Sequence, residues 1–418
     1  MDPHDRETFE RIVRMEMAGL PTEAHDASLG MPLTVVGFGA DEVLAAMECL
    51  LTTRVTMGAE VRAFEAEWAA WCGRSQGVMV NSGSSANLLM LDGLVELGRL
   101  KRGDEVLVPA VGWSTTLFPI VQAGLVPVIV DVHPQSLCID PAAALAARTS
   151  KTRAVMPVHL LGQAAATADY GQPGSGGLLV LEDACAAHGA RSGGRKVGAL
   201  GDAATFSFFF SHHITTVEGG IIVTDDALLA DAMRSLRAHG WVRERSDRQS
   251  WVDRYPDIDS RFLFVSAGYN LRPTDMAGAF GRIQLKRLDA WVQRRRANHA
   301  EWCARLSDLP GITVFPELPG TEHAGFAFAI LVDPAVRAGG RRPLMEKLES
   351  MGIETRPISG SNLVRQPAFQ RLLEQGAEIR IPGPLTVADQ VHEHGFFVGN
   401  SHAFGAAHGA RLAEGMSP

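Results

Sequence analysis

The sequence predicts an α/β fold: a large, mixed but mostly parallel sheet, followed by a smaller C-terminal α/β domain. Three observations lead there. Short apolar runs alternate with helix-period segments between about residues 58 and 285, the pattern of strands joined by crossover helices. A long helix-period stretch follows Arg282-Ile283-Gln284-Leu285 and leads into a second, shorter set of elements. The chain has 418 residues, 46% hydrophobic and 21% charged, enough for one large core and a lesser one. The expected organisation is an N-terminal segment (1–57) packing on the core, a large domain (58–285) and a small domain (286–418).

Each element has a local reason. Residues 41–51 place apolar side chains on one helical face, and Val61, Phe64, Trp68 and Trp71 do the same in the next helix. Strands are expected at 77–80, 105–108, 126–130, 154–158, 178–181, 204–208 and 220–224, with a helix over 119–123. After His239 the composition changes. Residues 241–261 are dense in charge and aromatics, and read either as a solvated insertion or as a loop that covers a substrate. In the small domain, 326–332 reads as a strand and 344–348 as a helix, and the last ten residues are expected to fray.

Composition excludes several classes. The formal net charge of −8 gives no basic face for nucleic acid. The start Met1-Asp2-Pro3-His4-Asp5-Arg6-Glu7 is polar and acidic, unlike a secretory signal. No apolar run approaches the ~18 residues of a membrane helix. The five cysteines, Cys49, Cys72, Cys138, Cys185 and Cys303, are scattered without a C-x-x-C pair. They read as reduced thiols of a cytoplasmic protein rather than a disulfide framework, a metal site or an iron–sulfur site.

Four stretches carry candidate chemistry. Asn81-Ser82-Gly83-Ser84-Ser85 joins a strand to a helix. Small residues there let the backbone approach closely, and helix-start N–H groups favour a phosphate; Ser207, at the end of a later strand, could add a hydroxyl. Glu182-Asp183 ends an apolar strand, where open α/β sheets bind ligands. Asp183 suits a carboxylate facing a pyridine nitrogen, although a helix cap or surface ion pair is the plain alternative. Trp113 follows the strand ending at Pro109, and could stack on a flat ligand or pack in the core. Finally, Ser207-Phe208-Phe209-Phe210-Ser211-His212-His213-Ile214-Thr215-Thr216-Val217-Glu218-Gly219-Gly220 follows a strand and is rich in small and hydroxyl residues.

In order and spacing, these stretches resemble the DegT/DnrJ/StrS family of pyridoxal-phosphate (PLP) sugar-modifying enzymes from about residue 30 to 402. Val55-Thr56-Met57-Gly58, Gly103-Asp104-Glu105-Val106, Val158-His159-Leu160-Leu161-Gly162, Glu182-Asp183-Ala184-Cys185-Ala186-Ala187-His188-Gly189-Ala190 and Gly268-Tyr269-Asn270-Leu271-Arg272-Pro273-Thr274-Asp275 carry the likeness. The resemblance implies the aspartate-aminotransferase-like fold (fold type I), with 58–285 holding PLP or its amine form, PMP. It also implies that Asp183 pairs with the pyridine nitrogen and Trp113 stacks on the ring. Gly83, Ser84, Ser85 and Ser207 would hold the phosphate, with Asn270 reaching the phosphate of a neighbouring subunit in a homodimer with shared sites. Ala186 departs from the pattern, since many members have glutamine there.

The family's Schiff-base lysine is replaced by His212. An imidazole cannot form that bond but can move protons. The five lysines, Lys101, Lys151, Lys196, Lys286 and Lys347, all lie outside 205–220. This matches the family's histidine-containing sugar 3-dehydratases, as do Gly352-Ile353-Glu354-Thr355-Arg356-Pro357 and Asn362-Leu363-Val364-Arg365-Gln366-Pro367. The likeness implies C3 deoxygenation of a nucleotide-linked 4-keto-6-deoxy sugar. His212 would take a proton from the cofactor's C4′ carbon and protonate the leaving C3 oxygen. L-Glutamate would restore PMP, with Arg356 placed to bind its carboxylate, and no iron–sulfur reductase is expected. His213 reads as a supporting or structural residue. The alternatives are an aminotransferase of the same family and a catalytically idle PLP-binding protein.

Overall fold

The computed structural model describes residues 3–18, 25–26, 28, 30–35, 37–171, 173–174 and 176–417; Met1 and Asp2 of the acidic start, and Pro418, lie outside them. The strands are β1 (Gln76–Val80), β2 (Glu105–Pro109), β3 (Val126–Val130), β4 (Thr152–Val155), β5 (Leu179–Asp183), β6 (Arg191–Ser192) and β7 (Arg195–Lys196). They continue with β8 (Ala203–Ser207), β9 (Gly220–Thr224), β10 (Ile312–Val314), β11 (Thr321–Glu322), β12 (Ala327–Val332), β13 (Thr355–Pro357) and β14 (Gly395–Gly399). The helices are α1 (Pro3–Met17), α2 (Ala40–Leu51), α3 (Ala59–Cys72), α4 (Gly83–Glu96), α5 (Ser114–Gln122), α6 (Pro141–Ala146) and α7 (Ala227–Arg237). α8 (Arg248–Arg254), α9 (Asp275–Leu306), α10 (Arg341–Ser350), α11 (Pro367–Glu374), α12 (Thr386–His394) and α13 (Ala406–Met416) follow.

The large sheet has seven strands in the order β1-β9-β8-β5-β4-β2-β3. β8, β5, β4, β2 and β3 run parallel, while β9 is antiparallel to both neighbours. β1 therefore points the same way as β8, and the carboxyl ends of β1, β2, β5 and β8 share one edge, where an open α/β sheet binds ligands. Side chains alternate faces along each strand. Val78, Val80 and Ile222 join Leu89, Met90 and Leu117 on one side. Met79, Ile221, Val223 and Phe206 join Trp68, Phe208 and Val292 on the other. Each such buried large apolar side chain contributes about 1.5–3 kcal/mol.

The second sheet, β10-β12-β14-β13, is antiparallel. Its core gathers Phe328, Ile330, Phe396 and Val398 with Trp302 of α9 and with Met31 and Val35 from the N-terminal segment.

Three expectations on element bounds change. The apolar run 154–158 is a strand only to Val155. Pro157 lacks an N–H, and the ladder resumes as a single bridge from Val158 to Asp183. The long helix starts eleven residues early, at Asp275, so the expected 285/286 boundary falls inside it. Thr274 caps the helix by accepting from the Ala277 N–H, and Asp275 accepts from the N–H groups of Gly58 and Val61. The C-terminus is not frayed: Ala406–Met416 is helical because Leu412 and Met416 are buried with Trp302, Leu348 and Phe404. Among the described residues, no helix is long and apolar enough to cross a membrane.

Candidate active site

Asp183 ends β5 and is 4% exposed. Its Oδ2 accepts hydrogen bonds from Thr116 Oγ1 (2.6 Å) and Asn87 Nδ2 (3.0 Å), and its Oδ1 from the Cys185 N–H (3.2 Å). Asn87 is in turn fixed by Thr205 Oγ1, which donates to its Oδ1 at 2.6 Å. The carboxylate is thus held in one orientation by α4, α5 and β8 together. Beside it, Glu182 points to the opposite face and is fully buried. It accepts from Gly198, Leu200 and Gly201 N–H groups at 2.7–2.9 Å and pairs with His159 Nε2 at 2.9 Å. Burial pushes the Glu182 carboxyl up, but the His159 hydrogen bond and charge and the backbone N–H groups outweigh it and hold it below the usual range.

The β1–α4 turn forms a cradle. Ser82 caps α4, accepting from the Ser85 N–H at 3.1 Å. The N–H groups of Gly83 and Ser84, in the first turn, find no partner within the helix. Ser84 Oγ lies 2.8 Å from Thr115 Oγ1, and Ser85 Oγ accepts from Ser82 Oγ at 3.0 Å. Glycine is needed at 83 because a Cβ there would stand 2.6 Å from Ser207 Cβ and 3.0 Å from Cys185 Sγ. A Cβ on Gly220 would likewise stand 2.4 Å from the Ser82 carbonyl. Ser207 is buried, and its Oγ accepts from the Phe209 N–H at 3.3 Å.

His212 sits on the loop between β8 and β9. The paired threonines explain why that loop keeps its shape. Thr215 receives the amide oxygen of Gln284 on its N–H (3.0 Å) and donates its hydroxyl to Phe208 O (3.2 Å). Thr216 N–H also reaches Phe208 O (2.9 Å), and Phe208 N–H reaches Gly219 O (2.9 Å). Val217, β-branched, is held at a φ of 69°, the kind of local strain that clusters at functional loops. The His212 ring packs on Phe326 (centroids 5.2 Å apart) and stacks against His188 (5.9 Å, 26°). Its Nδ1 is buried with no partner, leaving Nε2 as the nitrogen the ring can present. Burial, and then the Arg295 charge, push the imidazole down to about 3, so at neutral pH it is an uncharged base. His213 is buried, and its Nε2 donates to Ala324 O at 3.1 Å.

Trp113 is 61% exposed, so it is not a core residue; it stands free just before α5. Arg356, on β13, is exposed, and its Nη1 donates to its neighbour's carbonyl, Thr355 O, at 2.8 Å. The segment after it docks on the Trp113 loop, with Gly360 N–H on Gly112 O and Leu363 N–H on Ala110 O, both at 2.9 Å. Asn270 is exposed, bridged to Ala238, with its Oδ1 accepting from Arg272 Nε at 2.9 Å. The next residue, Leu271, accepts the Asn81 N–H on its carbonyl at 3.1 Å. Residues 241–261 carry α8 and two short 3₁₀ turns. They are tied to α7 by Arg237–Glu244 (2.8 Å) and by Ser246 to Asp231, and leave Tyr255 and Ile258 exposed.

The residues fit a pyridine cofactor with a phosphate: a fixed buried carboxylate, a cradle that an added Cβ would fill, an exposed aromatic face and an imidazole with a free nitrogen. Asn87, Thr116, Thr205 and Thr115, which position those groups, have no role in the sequence reading. Asn87 lies two residues beyond the Asn81–Ser85 stretch, on the helix that Ser82 caps. Only the fold shows that β5, α4 and α5 converge on one carboxylate.

The sequence profile of the DegT/DnrJ/EryC1/StrS aminotransferase family matches residues 38–414. The GDP-4-keto-6-deoxy-D-mannose 3-dehydratase of Yersinia pseudotuberculosis is 37% identical over 384 residues, 89% of this chain and 94% of that protein. The dTDP-4-dehydro-2,6-dideoxy-D-glucose 3-dehydratase of Saccharopolyspora spinosa is 38% identical, over 86% of this chain and 80% of that one. Among solved structures, the Escherichia coli GDP-4-keto-6-deoxy-D-mannose 3-dehydratase with bound hydrated PLP superposes with a TM-score of 0.86. It is 34% identical and covers 93% of this chain and 99% of its own. A GDP-4-keto-6-deoxymannose 3-dehydratase with a trapped PLP-glutamate geminal diamine gives 0.83 at 33% identity, over 93% of this chain and all of that one.

Proposed function

The chain belongs to the DegT/DnrJ/EryC1/StrS aminotransferase family, and from that premise we propose that it removes the C3 hydroxyl of a nucleotide-linked 4-keto-6-deoxy sugar. It is a PLP-dependent nucleotide-sugar 3-dehydratase with the aspartate-aminotransferase-like fold. One observation carries the reading: His212 stands where the family's lysine would, on a loop pegged beside the cofactor pocket. The bound cofactor supplies an electron sink and, in its amine form, the group that joins the sugar's C4 ketone.

The chain's own residues do the rest. Asp183, fixed by Thr116 and Asn87, keeps the pyridine nitrogen protonated. Gly83, Ser84, Ser85 and Ser207 grip the phosphate, and Trp113 covers the ring. His212, uncharged at neutral pH, accepts the C4′ proton through Nε2 and gives it to the departing C3 oxygen, so a single imidazole serves as base and acid. Phe326 on one side and His188 on the other keep it in that orientation.

The amine donor is L-glutamate, a reading supported by the PLP-glutamate adduct in the related structure. Arg356 receives its carboxylate. The working form is a homodimer in which Asn270 of each subunit completes the phosphate site of the other; the exposure of Asn270 supports this. The protein acts in the cytoplasm and without an iron–sulfur reductase. Glutamate and sugar are consumed in equal amounts, giving 2-oxoglutarate, ammonia and a 3-deoxy-4-keto sugar. A coupled assay of glutamate-dependent ammonia release with GDP-4-keto-6-deoxymannose tests this; release without sugar turnover would contradict it.

A further inference from the structure

α9 carries three consecutive arginines, and the middle one is unlike its neighbours. Arg296 pairs with Glu317 (2.7 Å) and Glu322 (2.8 Å), and Arg294 Nε donates to Phe404 O at 3.0 Å from a partly exposed position. Arg295 is only 6% exposed. Its Nη1 donates to the carbonyls of Asn400 and Phe326, its Nε has no partner, and none of the ion pairs among the described residues includes it. Burial lowers its pKa to about 10, so it is still a cation at neutral pH. A buried charge without a counter-charge costs stability and calls for a reason.

The reason lies across one turn. Residues 324–326 separate Arg295 from the histidines. Gly325 rests on the Arg295 carbonyl, where a Cβ would come within 2.7 Å. Phe326 gives its carbonyl to Arg295 and its ring to His212, and Ala324 gives its carbonyl to His213. The titratable and charged groups facing His212 are His188 from the segment after β5, His213 beside it and Arg295 from α9. The turn itself presents carbonyls and the Phe326 ring, and among the described residues no carboxylate acts on His212. We propose that Arg295 is a positioning residue for the acid–base step: its unpaired guanidinium, seated behind the turn against which His212 packs, governs how firmly His212 holds a proton in transit.

This rests on the dehydratase reading for its purpose, though not for its test. After burial, the Arg295 charge is what lowers His212, and it lowers His188 and His213 as well. A proton taken by His212 therefore meets a cation and two neutral imidazoles with no anion to retain it, and passes readily to the leaving oxygen.

Histidine-selective NMR titration of the cofactor-free protein tests the proposal, with His212→Asn to assign the resonance. In Arg295→Gln, His212 should titrate at least about one pH unit higher, a tenfold gain in proton affinity; Arg295→Lys should stay near wild type. Arg295→Met, which keeps an unbranched side chain without the charge, should shift His212 in the same direction and decides the matter if Arg295→Gln fails to fold. An unmoved His212 in a folded Arg295→Gln or Arg295→Met protein would overturn the proposal and leave the dehydratase reading intact. A shifted His212 in a protein that turns over no sugar would sustain the electrostatic role and remove its purpose.

Discussion

His212 and His188 lie nearly parallel, with ring centroids 5.9 Å apart and planes inclined by 26°. His188 is itself packed edge-on against Trp68, Phe206 and Phe208. The His212 imidazole therefore leans on a second imidazole that is fixed by the aromatic core. Replacing His212 by Asn should reduce deoxygenation by about 10²–10⁴-fold, the usual contribution of a general acid–base, with cofactor affinity little changed. Steady-state kinetics beside a cofactor-binding titration check both parts.

Thr116→Val removes the 2.6 Å hydrogen bond to Asp183 while keeping the shape of the side chain. A hydrogen bond to a charged group contributes about 1.5–3 kcal/mol, so PLP affinity should fall about 10–100-fold. Equilibrium dialysis with PLP measures it, and Trp113→Ala provides the comparison from the other side of the ring.

Glu182→Gln sets an amide NH₂ against three backbone N–H donors and His159. The variant should lose about 2–4 kcal/mol of stability, read by urea denaturation. Because Glu182 and Asp183 are adjacent on β5, PLP binding should weaken as well.

Acid should destabilise the fold before its carboxylates titrate. Burial lowers His188, His213 and His323 well below the ordinary histidine value, His299 to about 4 and His212 to about 3. The unfolded chain binds these protons near pH 6.5 and the folded chain does not, so stability is full above that pH and falls below it. Each imidazole adds up to about 1.4 kcal/mol per pH unit. Thermal melts should be flat from pH 7 to 8 and drop steeply between 6.5 and 4.

The strands of the large sheet were legible as short apolar runs, and its ligand edge from the acidic and small residues that end two of them, Asp183 and Ser207. His212 was legible because one chemical difference stands in an otherwise regular stretch. The early start of α9 at Asp275 was not, since Gly278 and Gly281 lower helix propensity there and only packing against α3 makes them necessary. Nor was the order of the C-terminus, whose Leu412 and Met416 find their partners in distant elements. The convergence of Asn87, Thr116 and Thr205 on Asp183, and the burial of Arg295, depend on tertiary contacts that no local pattern encodes.

The most direct measurement is mass spectrometry of nucleotide sugars after incubation with the protein, PLP and glutamate, over a panel of GDP-, CDP- and dTDP-linked 4-keto-6-deoxyhexoses. The account predicts a product that has lost the C3 oxygen and kept its ketone. A product with an amine in place of the ketone would contradict it.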